Sequence, residues 1–378
     1  MHTDPVLFSF FLIFTSAAVL ATVALYTRQP LIVAYIAIGV ILGPSATSLI
    51  SDPSLISSIA KIGIIFLLFL LGLDMQPSKL GNMLGNALLI GLASSAAFFI
   101  LGFGVGYVFG YTQTERIIIG IKLLPTTVLH HRHTGELVVS LLLIQDLIAI
   151  IVLLVLTGGF LDFSGADKLI KVGLGFPLLI LFAWGFVKYV LLKVLARFDA
   201  FHEYIFLVAI GWCLGLSELA TFVGLSHEIG AFIAGVTVAT SPIAQYIAVN
   251  LRPLRDFFLV LFFFSLGAGF QLGLLSHVLI PALVMATLVL VIKPIVFHSL
   301  LRHTSETVTK SWEIGFRLGQ ISEFSLLIAF IASAEALIGE DASHLIQATA
   351  ILTFLLSSYI VVLRYPTPIA VSDKLRRD

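Results

Sequence analysis

The chain is 378 residues long, 59% hydrophobic and only 11% charged, with a mean hydropathy of +1.10 and a formal net charge of zero. A water-soluble globular chain carries roughly 25% charged residues, so a soluble protein is excluded and an all-α polytopic membrane protein is expected. The balanced charge leaves no basic footprint for a nucleic acid, and one cysteine, Cys213, excludes an intramolecular disulfide or a thiolate metal cage.

Breaks at polar or Gly/Pro-rich residues divide the chain into about thirteen apolar segments, long enough in most cases for a hydrocarbon core of roughly 30 Å. They centre near Ala17, Ile38, Phe66, Ala97, Leu124, Ile148, Phe182, Ile210, Ile233, Phe264, Leu288, Ser322 and Thr353. The first, Val6 to Tyr26, has no Lys or Arg before it, so it reads as a retained helix rather than a cleavable leader. The segments near Ile38, Leu124 and Ile233 are short, and packed neighbours must shield their ends.

The fifth segment carries Pro125-Thr126-Thr127. A proline removes a backbone hydrogen bond, and two threonines beside it can satisfy the freed carbonyls or coordinate a cation. A plain proline kink would account for this segment taken alone. The polar loop that follows holds His130, His131 and His133; a solvated loop, a pH sensor and a transition-metal site are all compatible with it. The sixth segment buries Gln145-Asp146 in an apolar run. An aspartate there costs about 2.5–3.5 kcal/mol to insert, so it is either paired for structure or carries ions. Burial favours the protonated carboxyl and a bound cation favours the ionised one, so proton and cation compete for one group. His227-Glu228 marks an outer helix end, and Lys293-Pro294 places a cation inside the eleventh segment, where Lys293 can pair with Asp146 or neutralise half-helix ends. In the twelfth, Gly319-Gln320-Ile321-Ser322-Glu323 forms a second interruption. There Glu323 is expected to balance a helix dipole, with contact to Arg317 or a place on the cation path as alternatives.

The segments repeat. Gly120 aligns with Gly315 and Gly72 with Gly267 at an offset of 195 residues, and Gly39 with Gly235 at one residue more. An offset of seven segments is odd, so the two halves run in opposite directions, at about 6–156 and 204–363 with a linker helix at about 172–194. Interruptions at matching depth in inverted repeats set two broken helices across each other near the midplane, with their dipole ends around a central site. With the N-terminus outside, fourteen Lys and Arg fall in cytoplasmic loops and tail, against Arg116, Lys168 and Lys171 opposite. That bias predicts an outside N-terminus and a cytoplasmic C-terminus. Residues 1–378 are expected to form a single transmembrane domain with no soluble regulatory domain; a separate regulatory subunit is left open. No nucleophile–base pair, phosphate loop or metal motif argues for an enzyme or a cofactor.

The run from the fifth segment through Gln145-Asp146, together with Gly230-Ala231-Phe232-Ile233-Ala234-Gly235, Phe263-Phe264-Ser265-Leu266-Gly267 and Gly319-Gln320-Ile321-Ser322-Glu323-Phe324, resembles the cation:proton antiporter-2 family. Within it, the chain is most similar to the membrane domain of Kef-type potassium/proton antiporters. The resemblance implies a sodium/proton-antiporter-like fold with core and dimerisation domains, an elevator-like motion, a homodimer in a bacterial inner membrane, and Asp146 as the cation and proton carrier with Thr126, Thr127 and Gln145 nearby. It implies exchange of a monovalent cation, K+ ahead of Na+, for H+, with the cation at Asp146 as the sole metal. Pro125-Thr126-Thr127 stands where Kef proteins have Ser-Ser-Thr, and the Kef nucleotide-binding domain is not matched. A sodium-coupled symporter of an organic anion and a channel-like or sensor protein remain as alternatives.

Overall fold

The computed structural model describes residues 5–50, 54–75, 86–121, 123, 144–145, 147–148, 151–152, 166–198, 201–303 and 307–365. Pro125, Thr126, Thr127, His130, His131, His133 and Asp146 lie outside the described residues. Every regular element described is helical: α1 Pro5–Tyr26, α2 Leu31–Leu42, α3 Ser54–Asp74, α4 Asn86–Val108, α5 Gln113–Ile121, α6 at 166–197, α7 His202–Phe222, α8 His227–Ala239, α9 Ile243–Ala268, α10 Leu275–Arg302, α11 Val308–Arg317, α12 Glu323–Ala334 and α13 Glu340–Arg364. Among the described residues seven helices are long and apolar enough to cross a membrane, while α2, α8 and α12 are shorter apolar helices. Each expected centre falls on helix except Leu124, which is outside the described set, and Ser322, which sits in a break. The linker helix is longer than expected. It continues from Ala166–Phe186 through a π-helical turn, Val187–Leu191, into Leu192–Arg197.

The chain clusters into two compact units, residues 1–53, 83–149 and 263–378, and residues 54–82 and 150–262. In the first, α2 crosses the end of α9 with backbone against backbone. A Cβ on Gly39 would lie 2.1 Å from the Phe264 carbonyl oxygen, and one on Gly267 would lie 2.1 Å from that of Ile36. Only glycine permits that approach, the usual way helices gain contact where lipid removes the hydrophobic drive. The hairpins α4–α5 and α10–α11 close in the same manner: a Cβ at Gly120 would meet Phe99 O at 2.7 Å, and one at Gly315 would meet Pro294 O at 2.8 Å.

Hydrogen bonds tie the helix ends of this unit together. At one end Gly339 N–H donates to Glu115 (3.0 Å) and Gln271 Nε2 to Glu340 (3.1 Å). At the other, Ser358 Oγ donates to Arg28 O at 2.9 Å.

In the second unit, α3 crosses α8. A Cβ on Gly235 would lie 2.1 Å from Phe69 O, and one on Gly72 would lie 2.5 Å from Phe232 O. The four glycines are those the 195-residue repeat aligns, so this crossing repeats the α2–α9 crossing residue for residue. Trp212 of α7 donates to Ala234 O (3.1 Å) and stacks on Phe186 at 5.1 Å. His227, the first residue of α8, meets Glu218 at 3.1 Å, a pair at the expected helix end.

Candidate functional site

The helix break in the first unit follows from its sequence. After Arg317 the helical pattern stops at Leu318, and α12 restarts at Glu323 with Ser322 as its N-cap. A helix end inside a membrane leaves backbone groups that water cannot reach, so each needs a protein partner. Ser322 Oγ accepts from Phe324 N–H at 3.0 Å. Thr353 Oγ1, on α13, accepts from Ile321 N–H at 3.3 Å while donating to Ala350 O at 2.9 Å. The Gln320 carbonyl accepts from Lys293 Nζ at 2.9 Å.

Lys293 is fully buried on α10 and lies with Nζ 5.2 Å from the Phe98 ring centroid, in cation–π range. Phe98 in turn meets Phe297 at 5.5 Å. A buried ammonium is costly unless it is hydrogen-bonded. Here it meets the Gln320 carbonyl inside the break, three residues past the end of α11, while Glu323 occupies the first turn of α12, the partly positive end. A carboxylate there complements the helix dipole. Lys293 thus contacts the break itself; the pairing with Asp146 involves a residue outside the described set. Arg317 pairs with Glu313, one turn back, at 2.8 Å.

Gln145 is wholly buried, and its Nε2 donates to Ser94 Oγ on α4 at 3.3 Å. Ser94 and Phe98 are four residues apart and share one face of α4, so this helix is the shelf on which both Gln145 and Lys293 rest. Gln320, Ser322, Glu323 and Lys293 therefore meet at the break, and Gln145 joins them through α4. Ser94, Ser95, Phe98 and Thr353 had not been singled out from the sequence. The repeat carried a hint, since Phe98 and Lys293 are 195 residues apart.

Beside the α4–α5 turn and the start of α13 lies a cavity of about 580 Å³ lined by Tyr111, Glu115, His277, Glu340 and Asp341. Burial pushes the Tyr111 phenol up to about 12, with Asp341 and Glu115 adding to the shift.

A family model described as sodium/hydrogen exchanger, transmembrane, matches residues 11–363. K(+) efflux antiporter 5 of Arabidopsis thaliana is 28% identical over 327 residues, covering 81% of this chain and 57% of that protein. Iron transporter MagA of Paramagnetospirillum magneticum is 25% identical over 347 residues, 88% of this chain and 79% of that protein. The solved structure of the sodium proton antiporter MjNhaP1 from Methanocaldococcus jannaschii shares the fold, with a TM-score of 0.68 at 18% identity, covering 94% of this chain and 96% of that one. The chain thus spans little more than half the length of the plant relative.

Proposed function

The chain belongs to the sodium/hydrogen exchanger transmembrane family, and from that premise we propose that it exchanges a monovalent cation, K+ ahead of Na+, for a proton at Asp146. The observation that carries this reading is the helix break at 318–322, closed by Lys293 on one side and begun again at Ser322 and Glu323 on the other. Such a break keeps backbone dipoles at membrane depth without a fixed ligand. Gln145 and Asp146 are adjacent in the chain, and Gln145 rests on the same face of α4 as the residue beneath Lys293.

In this mechanism, a proton and a cation compete for the Asp146 carboxyl. Protonation discharges the cation, and cation entry displaces the proton. One carrier carboxylate gives one-for-one, electroneutral exchange. Thr126, Thr127 and Gln145 supply neutral oxygens, and Lys293 holds the break together through the cycle. Alternating access is an elevator-like movement in a homodimer, with the N-terminus outside a bacterial inner membrane, as the loop charges favour. The likeness to a plant K(+) efflux antiporter supports K+ over Na+.

The test uses purified protein in liposomes with a trapped pH dye, with K+, Na+ and, because one relative is named an iron transporter, Fe2+ added in turn. Cation-driven proton movement that disappears in Asp146→Asn is the expected result, and the ranking of cations names the substrate. Folded wild-type protein that moves no protons under any cation gradient sinks the reading.

A further inference from the structure

We propose that Ser94 is a positioning residue for Gln145, fixing the side-chain amide so that its oxygen, and not its nitrogen, faces the ion path; this rests on the antiporter reading above. Ser94 is fully buried on α4, and its hydroxyl proton is committed to the Gly91 carbonyl oxygen at 3.0 Å. A hydroxyl has a single proton to give. Toward Gln145, therefore, the Ser94 oxygen can only accept, and the group it meets at 3.3 Å must be the amide nitrogen. The direction of the relay, Gln145 N–H to Ser94 to Gly91 C=O, leaves Oε1 on the far side of the amide.

That oxygen is buried and has no hydrogen-bond donor among the described residues, and the same holds for Ser95 Oγ on the next position of α4. A buried carbonyl-type oxygen left bare costs about 1–3 kcal/mol, and a cation or its water removes the cost. Were the amide turned over, the two N–H donors would point into the site instead, and a cation would meet positive hydrogens. Ser94 thus sets the sign of the charge that Gln145 presents. Gly91 serves the same end sterically. A Cβ there would lie 2.7 Å from Ile144 Cγ2, so its absence lets the helical residues 144–145 seat against α4.

The test measures cation KM and maximal rate in proteoliposomes and, in parallel, cation-dependent thermal stabilisation of detergent-purified protein, using K+ and Na+ salts. Ser94→Ala is expected to raise both the KM and the stabilisation midpoint about five- to tenfold, the size of one lost hydrogen bond, with maximal rate within about twofold. Ser94→Thr, which keeps the hydroxyl, is expected to restore both. In a Gln145→Ala background, Ser94→Ala should add nothing, because its effect passes through the amide. Should Ser94→Ala not purify as folded protein, Ser94→Cys, which keeps size but weakens the bond, takes its place with the same direction. Wild-type KM and midpoint in these variants, with transport intact, overturn the role of Ser94 and leave the antiporter standing. A Ser94-dependent binding midpoint without cation-driven proton movement does the reverse. An additive effect in the Gln145→Ala background also overturns the proposal, since a packing defect would behave that way.

Discussion

The hairpins α4–α5 and α10–α11 close in the same way, and they differ where it matters. Their backbones close alike, with Gly120 against Phe99 and Gly315 against Pro294, both pairs related by the 195-residue repeat. The side chains one residue earlier are Phe98 in one and Lys293 in the other, and these two equivalent positions touch each other. At these aligned positions a ring on one hairpin meets an ammonium on the other. The two hairpins therefore share a backbone frame, and they differ by one charge on one side of the pair. Gln320 against Pro125 and Glu323 against Val128 continue the divergence through the second half of each unit of the repeat.

This comparison can be broken or sharpened by substitution. The largest effect is expected at Phe98, whose buried ring touches both Lys293 and Phe297. Phe98→Ala should cost about 3–5 kcal/mol, read as loss of thermal stability in detergent; a cost under about 1 kcal/mol would mean that the ring does not hold the two hairpins together. Lys293→Met comes next. It keeps the length of the stem but strips the Gln320 carbonyl of its donor, for about 1–3 kcal/mol, and a variant as stable as wild type would deny that the ammonium closes the break. Gly120→Ala and Gly315→Ala test the shared frame. Each should cost about 1–3 kcal/mol through overpacking against backbone, and the two should agree within about 1 kcal/mol. A wide disparity would show that the likeness of the hairpins is superficial.

Thr353→Val should cost about 1 kcal/mol by leaving Ile321 N–H without an acceptor. The smallest effect belongs to the turn of the first hairpin, where Tyr111 ionises only near 12. An unfolded tyrosine ionises near 10, so between about 10 and 12 the folded state keeps a proton that the unfolded state has lost. By linkage, stability falls as pH rises through that window. Tyr111→Phe should remove that share of the alkaline loss, and an alkaline unfolding profile identical to wild type would place the phenol in water.

The expected segment centres were legible because long apolar runs have few readings in a chain this poor in charge. The repeat was legible through glycine, and the structure gives the physical reason: Gly39, Gly72, Gly235 and Gly267 each stand where a Cβ would strike a carbonyl oxygen. The interruption around Gln320 was legible too, because a helix cannot end in lipid without polar neighbours. Ser94 was not. Serines and threonines in apolar helices ordinarily bond back to a carbonyl of the preceding turn, as Thr22 does to Ala18 and Thr349 to Leu345. Such a side chain gives no sign of a partner on another helix until that helix is placed. Phe98 was silent for a similar reason, as an aromatic in an apolar run. Glu323 stands in the first turn of α12, and Arg317 pairs with Glu313 at the i,i+4 spacing that favours such pairs.

The crossing of α2 with the end of α9 also sets a timetable for biogenesis. Gly39 and Gly267 are more than two hundred residues apart in the chain, so at ribosomal speeds of roughly 5–20 residues per second the first glycine waits on the order of 10–45 s for the second to be made. Throughout that interval α2, with its 12 residues, reaches only about 18 Å of a hydrocarbon layer roughly 30 Å thick. The nascent chain must therefore carry an under-length helix without its partner while most of the protein is still being translated. Insertion machinery that shelters short helices, rather than spontaneous partitioning into lipid, is what this fold requires of the cell that makes it.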